Sequence, residues 1–185
     1  MGDSIIGSPF LLFLARSLQT TTLQKEVFHL QSQHINSFLE SSVIVLEQMC
    51  RIRPSVGKPS FRSIVMVEGP IWLKISVIGD MVGDIVYCFP KHVALKLVSD
   101  MMGGFIVTEL DEIGQSAIAE LGNMISGNAC TILSNEGVTI DITPPKTMLH
   151  TQAQLAGKSL VVPLQLAGIG DVDIYVNIKS VAQAC

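Results

Sequence analysis

Asp111-Glu-Ile-Gly-Gln-Ser-Ala-Ile-Ala-Glu120-Leu-Gly-Asn123-Met-Ile-Ser-Gly127-Asn-Ala129 is the stretch on which the reading of this chain turns. At about 100° per residue, a helix through it gathers Ser116, Glu120, Asn123 and Gly127 within roughly 60° of one another. Gly114, Ile118, Leu121, Ile125, Ala129 and Ile132 fall roughly half a turn away. One face is therefore apolar enough to pack on a sheet. The other presents a carboxylate and a carboxamide one turn apart, with a glycine beside them. Thr108 is the expected N-cap, Asp111 and Glu112 are favoured near the start by the helix dipole, and the helix should reach about Leu133.

Working outward, Ile35, Phe38, Leu39, Ser42, Val45, Leu46 and Met49 repeat at helical spacing, which predicts an amphipathic helix over 34–51 that ends before Pro54. Strand-like runs follow at Phe61–Val67, Ile71–Ile78 and Val82–Phe89, the last two joined by a tight turn at Gly79-Asp80. Pro90 suits the first turn of a helix through Val93, Leu97 and Met101, which Gly103-Gly104 stops. After the quoted helix, Val138–Ile142 reads as a strand and Thr143-Pro-Pro145 as an extended turn. Ser159–Leu166 and Asp171–Ile178 read as a closing hairpin around Ala167-Gly-Ile-Gly170. The order is helix, three strands, two helices, three strands, which predicts an α+β domain with a mainly antiparallel sheet covered by helices. Residues 1–32 are read as an N-terminal extension and 33–185 as the domain. The apolar burst Ile5–Ala15 has no basic residue ahead of it and a poor cleavage site, so it is not read as a secretory signal.

The 185 residues, 48% hydrophobic and 15% charged, exclude a disordered chain and allow a sizeable core. The net charge of -4, with 12 scattered basic residues, argues against a nucleic-acid partner. The sequence has no apolar run long enough for a transmembrane helix, so no membrane association is expected. Cys50, Cys88, Cys130 and Cys185 form no C-x-x-C pair, which points to reduced thiols and a cytoplasmic setting. His29, His34, His92 and His150 form no cluster with carboxylates, and no metal site is expected.

The glycines at 79, 83, 103 and 104 belong to neither a G-x-x-x-x-G-K-[ST] loop nor a G-x-G-x-x-G loop, and turns account for them. There is no G-x-S-x-G elbow and no Cys/His pair to supply a nucleophile. On spacing alone, Glu120 and Asn123 are either ordinary solvated side chains or a site. The three glycines of the same helix, 114, 122 and 127, weigh on that choice. Each costs about 1 kcal/mol relative to alanine in a helix interior, which asks for close approach by another backbone or a partner. Gly127, on the polar stripe, is assigned to partner clearance, and Gly114 to helix–sheet contact.

The order D-x-x-x-x-S-x-x-x-E-x-x-N-x-x-x-G, met by Asp111, Ser116, Glu120, Asn123 and Gly127, closely resembles the CheC/CheX/FliY family of phosphatases that act on the chemotaxis response regulator CheY. Further matches favour its CheX type: Ile35-Asn-Ser-Phe38-Leu-Glu, Gly83-Asp-Ile-Val-Tyr87-Cys-Phe89, Met101-Met-Gly103 and Ile142-Thr-Pro-Pro145. The resemblance covers roughly 34–180. It implies a CheC/CheX-like fold and a catalytic pair in which Asn123 positions the attacking water while Glu120 docks on the receiver's active-site lysine. It also implies that Ser116 and Gly127 contact the partner. The partner would be a phosphorylated CheY-like response regulator, which brings its own Mg²⁺, so no cofactor is expected in this chain. CheC-like proteins carry two copies of the motif and CheX-type chains one. Here the candidate counterpart near Glu40 and Glu47 lacks an asparagine three residues on, so the resemblance implies a homodimer. The alternative reading is a non-catalytic receiver-binding module akin to the flagellar switch domains.

Overall fold

The protein is described here from a computed structural model that covers residues 22–148 and 153–181. Its elements in chain order are α1 (Thr22–Cys50), β1 (Ser55–Val56), β2 (Ser60–Met66), β3 (Ile71–Gly79), β4 (Met81–Phe89), α2 (Lys91–Met101), α3 (Glu112–Asn135), β5 (Ile140–Ile142), β6 (Lys146–Met148), β7 (Ala153–Leu166) and β8 (Gly170–Ser180). The expected α+β architecture holds, with three helices among the described residues and an eight-stranded sheet whose pairings are all antiparallel.

The sheet order is β1-β7-β8-β4-β3-β5, with β2 also pairing β7 and β6 also pairing β3. The sequence predicts three strands on either side of the helix pair, and the fold has four. The additional ones, β1 and β6, span two and three residues. Such lengths are too short to show an alternating pattern, so periodicity does not find them.

Helix α1 forms where the 3.6-residue spacing buries Ile35, Phe38, Leu39, Val45 and Leu46. It starts at Thr22, well before the expected 34, and runs across the boundary expected between 32 and 33. The burst Ile5–Ala15 lies outside the described residues. The C-terminus is closed by Arg51, which takes φ +56 and donates its N–H to the Glu47 carbonyl. This left-handed residue ends the helix where glycine would be usual.

The β3–β4 hairpin turns at Gly79-Asp80 as expected. Gly79 has φ +114, and a Cβ there would lie 2.7 Å from the Thr139 carbonyl oxygen. Asp80 then fastens the approach to β5, since its Oδ2 accepts the Thr139 N–H at 2.7 Å and its own N–H donates to the Thr139 carbonyl. The main core lies between the sheet and the helices and contains Leu73, Ile75, Tyr87 and Phe89 from the strands, with Leu97, Ile118, Leu121 and Ile125 from α2 and α3. A smaller cluster on the other sheet face joins Ile64, Met66, Trp72, Val86, Val161 and Tyr175. Helix α3 packs along α1 and over β3, β5 and β6, which fixes which of its sides meets solvent.

Candidate functional site

The site is built on α3. Asp111 is its N-cap: in an extended conformation, its Oδ1 accepts the Gly114 N–H at 2.9 Å. Thr108, the expected cap, lies in the loop before it. The helix therefore begins at Glu112 and runs to Asn135, slightly beyond the expected end.

Burial follows the predicted stripes. Gly114, Ile118, Leu121, Ile125 and Ala129 are buried, and Ile132 is half-buried. Ser116, Glu120, Asn123 and Gly127 are exposed together along the opposite side, so the fold brings all four expected residues onto one surface. Within it, Asn123 Nδ2 donates to Glu120 Oε2 at 3.2 Å. This contact turns the carboxamide so that its NH₂ faces the carboxylate. Asn123 Oδ1 and Glu120 Oε1 are left as acceptors toward solvent. Ser116 stands one turn before Glu120, and Gly127 one turn beyond Asn123.

The three glycines separate by what surrounds them. A Cβ on Gly114 would sit 2.9 Å from Leu110 Cδ2 and 3.5 Å from Asp111 Oδ1, so this glycine serves the capping turn. That corrects its assignment to helix–sheet contact. The helix–sheet role belongs to Gly122, where a Cβ would lie 2.8 Å from Leu73 Cδ2 on β3 and 3.1 Å from Pro145 Cβ. At Gly127 nothing lies within 4 Å of the added atom. No contact among the described residues requires that glycine, although it costs the helix about 1 kcal/mol relative to alanine.

The described cysteines offer no ready thiolate. Burial, with a smaller push from Asp100, raises the Cys50 thiol to about 11. Burial and then Asp173 raise Cys88 to about 12. Burial and then Asp141 raise Cys130 as well. All three are protonated near neutrality, and the thiol is a poor nucleophile. Among the described residues, no group of three or more His, Cys, Asp or Glu is placed to hold a metal ion. No helix among them is long and apolar enough to cross a membrane.

Two features near the stripe escape the periodicity argument. Ile113, one of the first residues of α3, is exposed, as are Phe105 and Ile106 in the loop before it. Apolar letters read as core in a sequence, and only the fold shows these three outside it. The second feature was open to inspection. Between Lys96 and Lys146 the chain carries no Lys, Arg or His, and its ionisable carboxylates are Asp100, Glu109, Asp111, Glu112, Glu120, Glu136 and Asp141.

Comparison with known proteins follows the same residues. The segment 113–149, which holds most of α3, matches the model of the CheC-like family. The chain is 33% identical over 148 residues to the CheY-P phosphatase CheX of Thermotoga maritima, covering 79% of this chain and 96% of that protein. In structure it is similar to the chemotaxis protein CheX from Desulfovibrio desulfuricans, with a TM-score of 0.69, 22% identity, and coverage of 80% of this chain and 99% of that one. It is also similar to the CheX–CheY–BeF3–Mg²⁺ complex from Borrelia burgdorferi, with a TM-score of 0.68, 24% identity, and coverage of 80% and 98%. These two structural likenesses carry the fold.

Proposed function

The chain belongs to the CheX type of the CheC/CheX/FliY family, and from that premise we propose that it is a protein phosphatase accelerating hydrolysis of the aspartyl phosphate on a CheY-like response regulator. The observation that carries the reading is the Glu120–Asn123 pair, held by a 3.2 Å hydrogen bond on an exposed stripe whose next turn is an unobstructed glycine. Thermotoga maritima CheX, similar over most of both chains, is a CheY-P phosphatase.

The chemistry asks little of this chain. Water attacks phosphorus, the P–O bond to the aspartyl oxygen breaks, and the aspartate leaves as a free carboxylate with inorganic phosphate as the other product. Mg²⁺ is the receiver's to supply, and it neutralises charge on the phosphoryl oxygens. This chain contributes position. Asn123 Oδ1 accepts a hydrogen bond from the water and aims its lone pair along the in-line path, as the glutamine of GTPases does. Glu120 holds the amide by one oxygen, and the other is free to pair with the receiver's active-site lysine, which sets the docking register. Gly127 leaves room for the receiver, and Ser116 borders the contact. No covalent intermediate is needed, which fits thiols that stay protonated.

The test is the decay of a receiver phosphorylated by acetyl phosphate, followed with substoichiometric protein. Multiple turnover is expected from the native chain and none above the receiver's own rate from Asn123→Ala. Equal rates with and without Asn123 would sink the mechanism. Stoichiometric binding without turnover would favour the receiver-binding module instead. The resemblance further leads us to propose a homodimer with one site per subunit, and a monomer in light scattering would overturn that.

A further inference from the structure

We infer that Phe105, Ile106 and Ile113 form an apolar docking ledge that extends the Glu120–Asn123 stripe and seats the receiver on a hydrophobic, cation-bordered patch beside its phosphorylated aspartate. This inference rests on the phosphatase reading, whose partner and site it takes as given.

The first observation is exposure without internal reason. Phe105, Ile106 and Ile113 are 73%, 92% and 62% exposed, respectively. Burying a side chain of this kind is ordinarily favourable, and the fold forgoes that here three times over. The loop is fastened in this presentation. Ser99 Oγ donates to the Phe105 carbonyl at 2.6 Å, and the Gly104 N–H donates to the Ser99 carbonyl at 2.8 Å. Gly103 and Gly104, at φ +76 and +91, make the turn that aims residues 105 and 106 outward.

The second is continuity with the site. Ile113 precedes Glu120 by seven residues, or about 20° around the helix, so it lies on the same stripe, two turns N-terminal. A receiver seated over Glu120 and Asn123 therefore extends over Ile113, and the loop carrying Phe105 and Ile106 stands next to it.

The third is charge. The ledge is bordered by exposed Glu109, Asp111 and Glu112, and no cation lies in the sequence between Lys96 and Lys146. A second copy meeting this patch across a two-fold axis would bring the same carboxylates against themselves, which is unfavourable. The occupant that fits is a partner offering apolar side chains flanked by Lys or Arg.

The experiment uses the full chain and a CheY-type receiver from the same organism, either phosphorylated or trapped with beryllium fluoride and Mg²⁺. For F105S/I106S, both changes at exposed positions, KM for the phosphorylated receiver should rise about tenfold or more with kcat kept within about twofold. The Kd for the trapped receiver should rise by the same factor. E109K/E112K should also raise KM, and the effect should shrink as NaCl is raised. An unchanged KM and Kd in F105S/I106S, with the native chain active, would overturn the ledge and leave the phosphatase reading intact. Loss of a dimer in F105S/I106S with unchanged KM would give the patch to a second copy and overturn it too. If the native chain binds the trapped receiver but does not turn it over, the phosphatase reading fails, and the Kd ratio still decides the ledge. If it neither binds nor turns over the receiver, both fail.

Discussion

Helices α1 and α3 lie against each other on one face of the sheet, and both carry solvent-accessible glutamates, yet only α3 sets an exposed asparagine beside one. In α3, the residue three beyond Glu120 is Asn123, exposed and hydrogen-bonded back to it. In α1, the residue three beyond Glu40 is Val43, and three beyond Glu47 is Cys50, and both are buried. Glu47 turns instead to Arg53 at 3.8 Å. Exposed carboxylates are cheap on any helix. An exposed Glu–Asn pair also needs the position one turn on to be free of core duty, and α1 has committed those positions to packing.

The comparison breaks first at Asn123. Asn123→Ala should reduce acceleration of dephosphorylation by about 100-fold or more while leaving receiver binding within a few-fold, read as turnover beside binding of the trapped receiver. Glu120→Ala should come next, because it removes both the proposed docking charge and the bond that orients the amide. A fall in kcat/KM of roughly tenfold or more is expected, with part of it in KM.

Installing the missing amide tests the other helix. Val43→Asn places a carboxamide in a buried position and should destabilise the fold by about 1–3 kcal/mol in urea titration. It should restore no turnover when combined with Asn123→Ala, and restored turnover would show that α1 is a dormant site after all. The glycines sharpen the contrast within α3. Gly122→Val should cost about 1–3 kcal/mol because its side chain would push on Leu73 and Pro145. Gly127→Ala should instead stabilise the helix by up to about 1 kcal/mol and raise KM.

A separate effect is expected in alkali. Cys50 and Cys88 are pushed up to about 11 and about 12 in the fold, from an ordinary value of 9.0. The unfolded thiols ionise first, so stability is intact below pH 9 and is lost as pH rises from there through the folded values. Urea midpoints at pH 8 and pH 10.5 should differ accordingly, and Cys88→Ala should lessen the difference.

The polar stripe of α3, its apolar back and the β3–β4 hairpin are legible in the sequence because each rests on a period or a turn dipeptide. The cap is not, because Thr108 and Asp111 are both suitable residues, and only the path of the loop puts Asp111 Oδ1 on the Gly114 N–H. The helix–sheet role passes from Gly114 to Gly122 for a similar reason, since what a glycine makes room for depends on which neighbour the fold brings near. The exposed Phe105, Ile106 and Ile113 are least legible of all, because apolar residues outside a core contradict the rule by which cores are found.

The strand order has a consequence for how the chain is made. Only four residues separate β2 from β3, yet the two do not pair. Between them in the sheet stand β7, β8 and β4, and β7 and β8 are the last strands among the described residues. During synthesis β2 has no neighbour until most of the protein has left the ribosome, and the hairpin β3–β4 waits as a half-finished edge. Folding of this domain is therefore dominated in its decisive step by long-range pairing, and correspondingly slow. Its unmated strands are exposed to chaperones and to aggregation until the C-terminal hairpin slides in as the keystone.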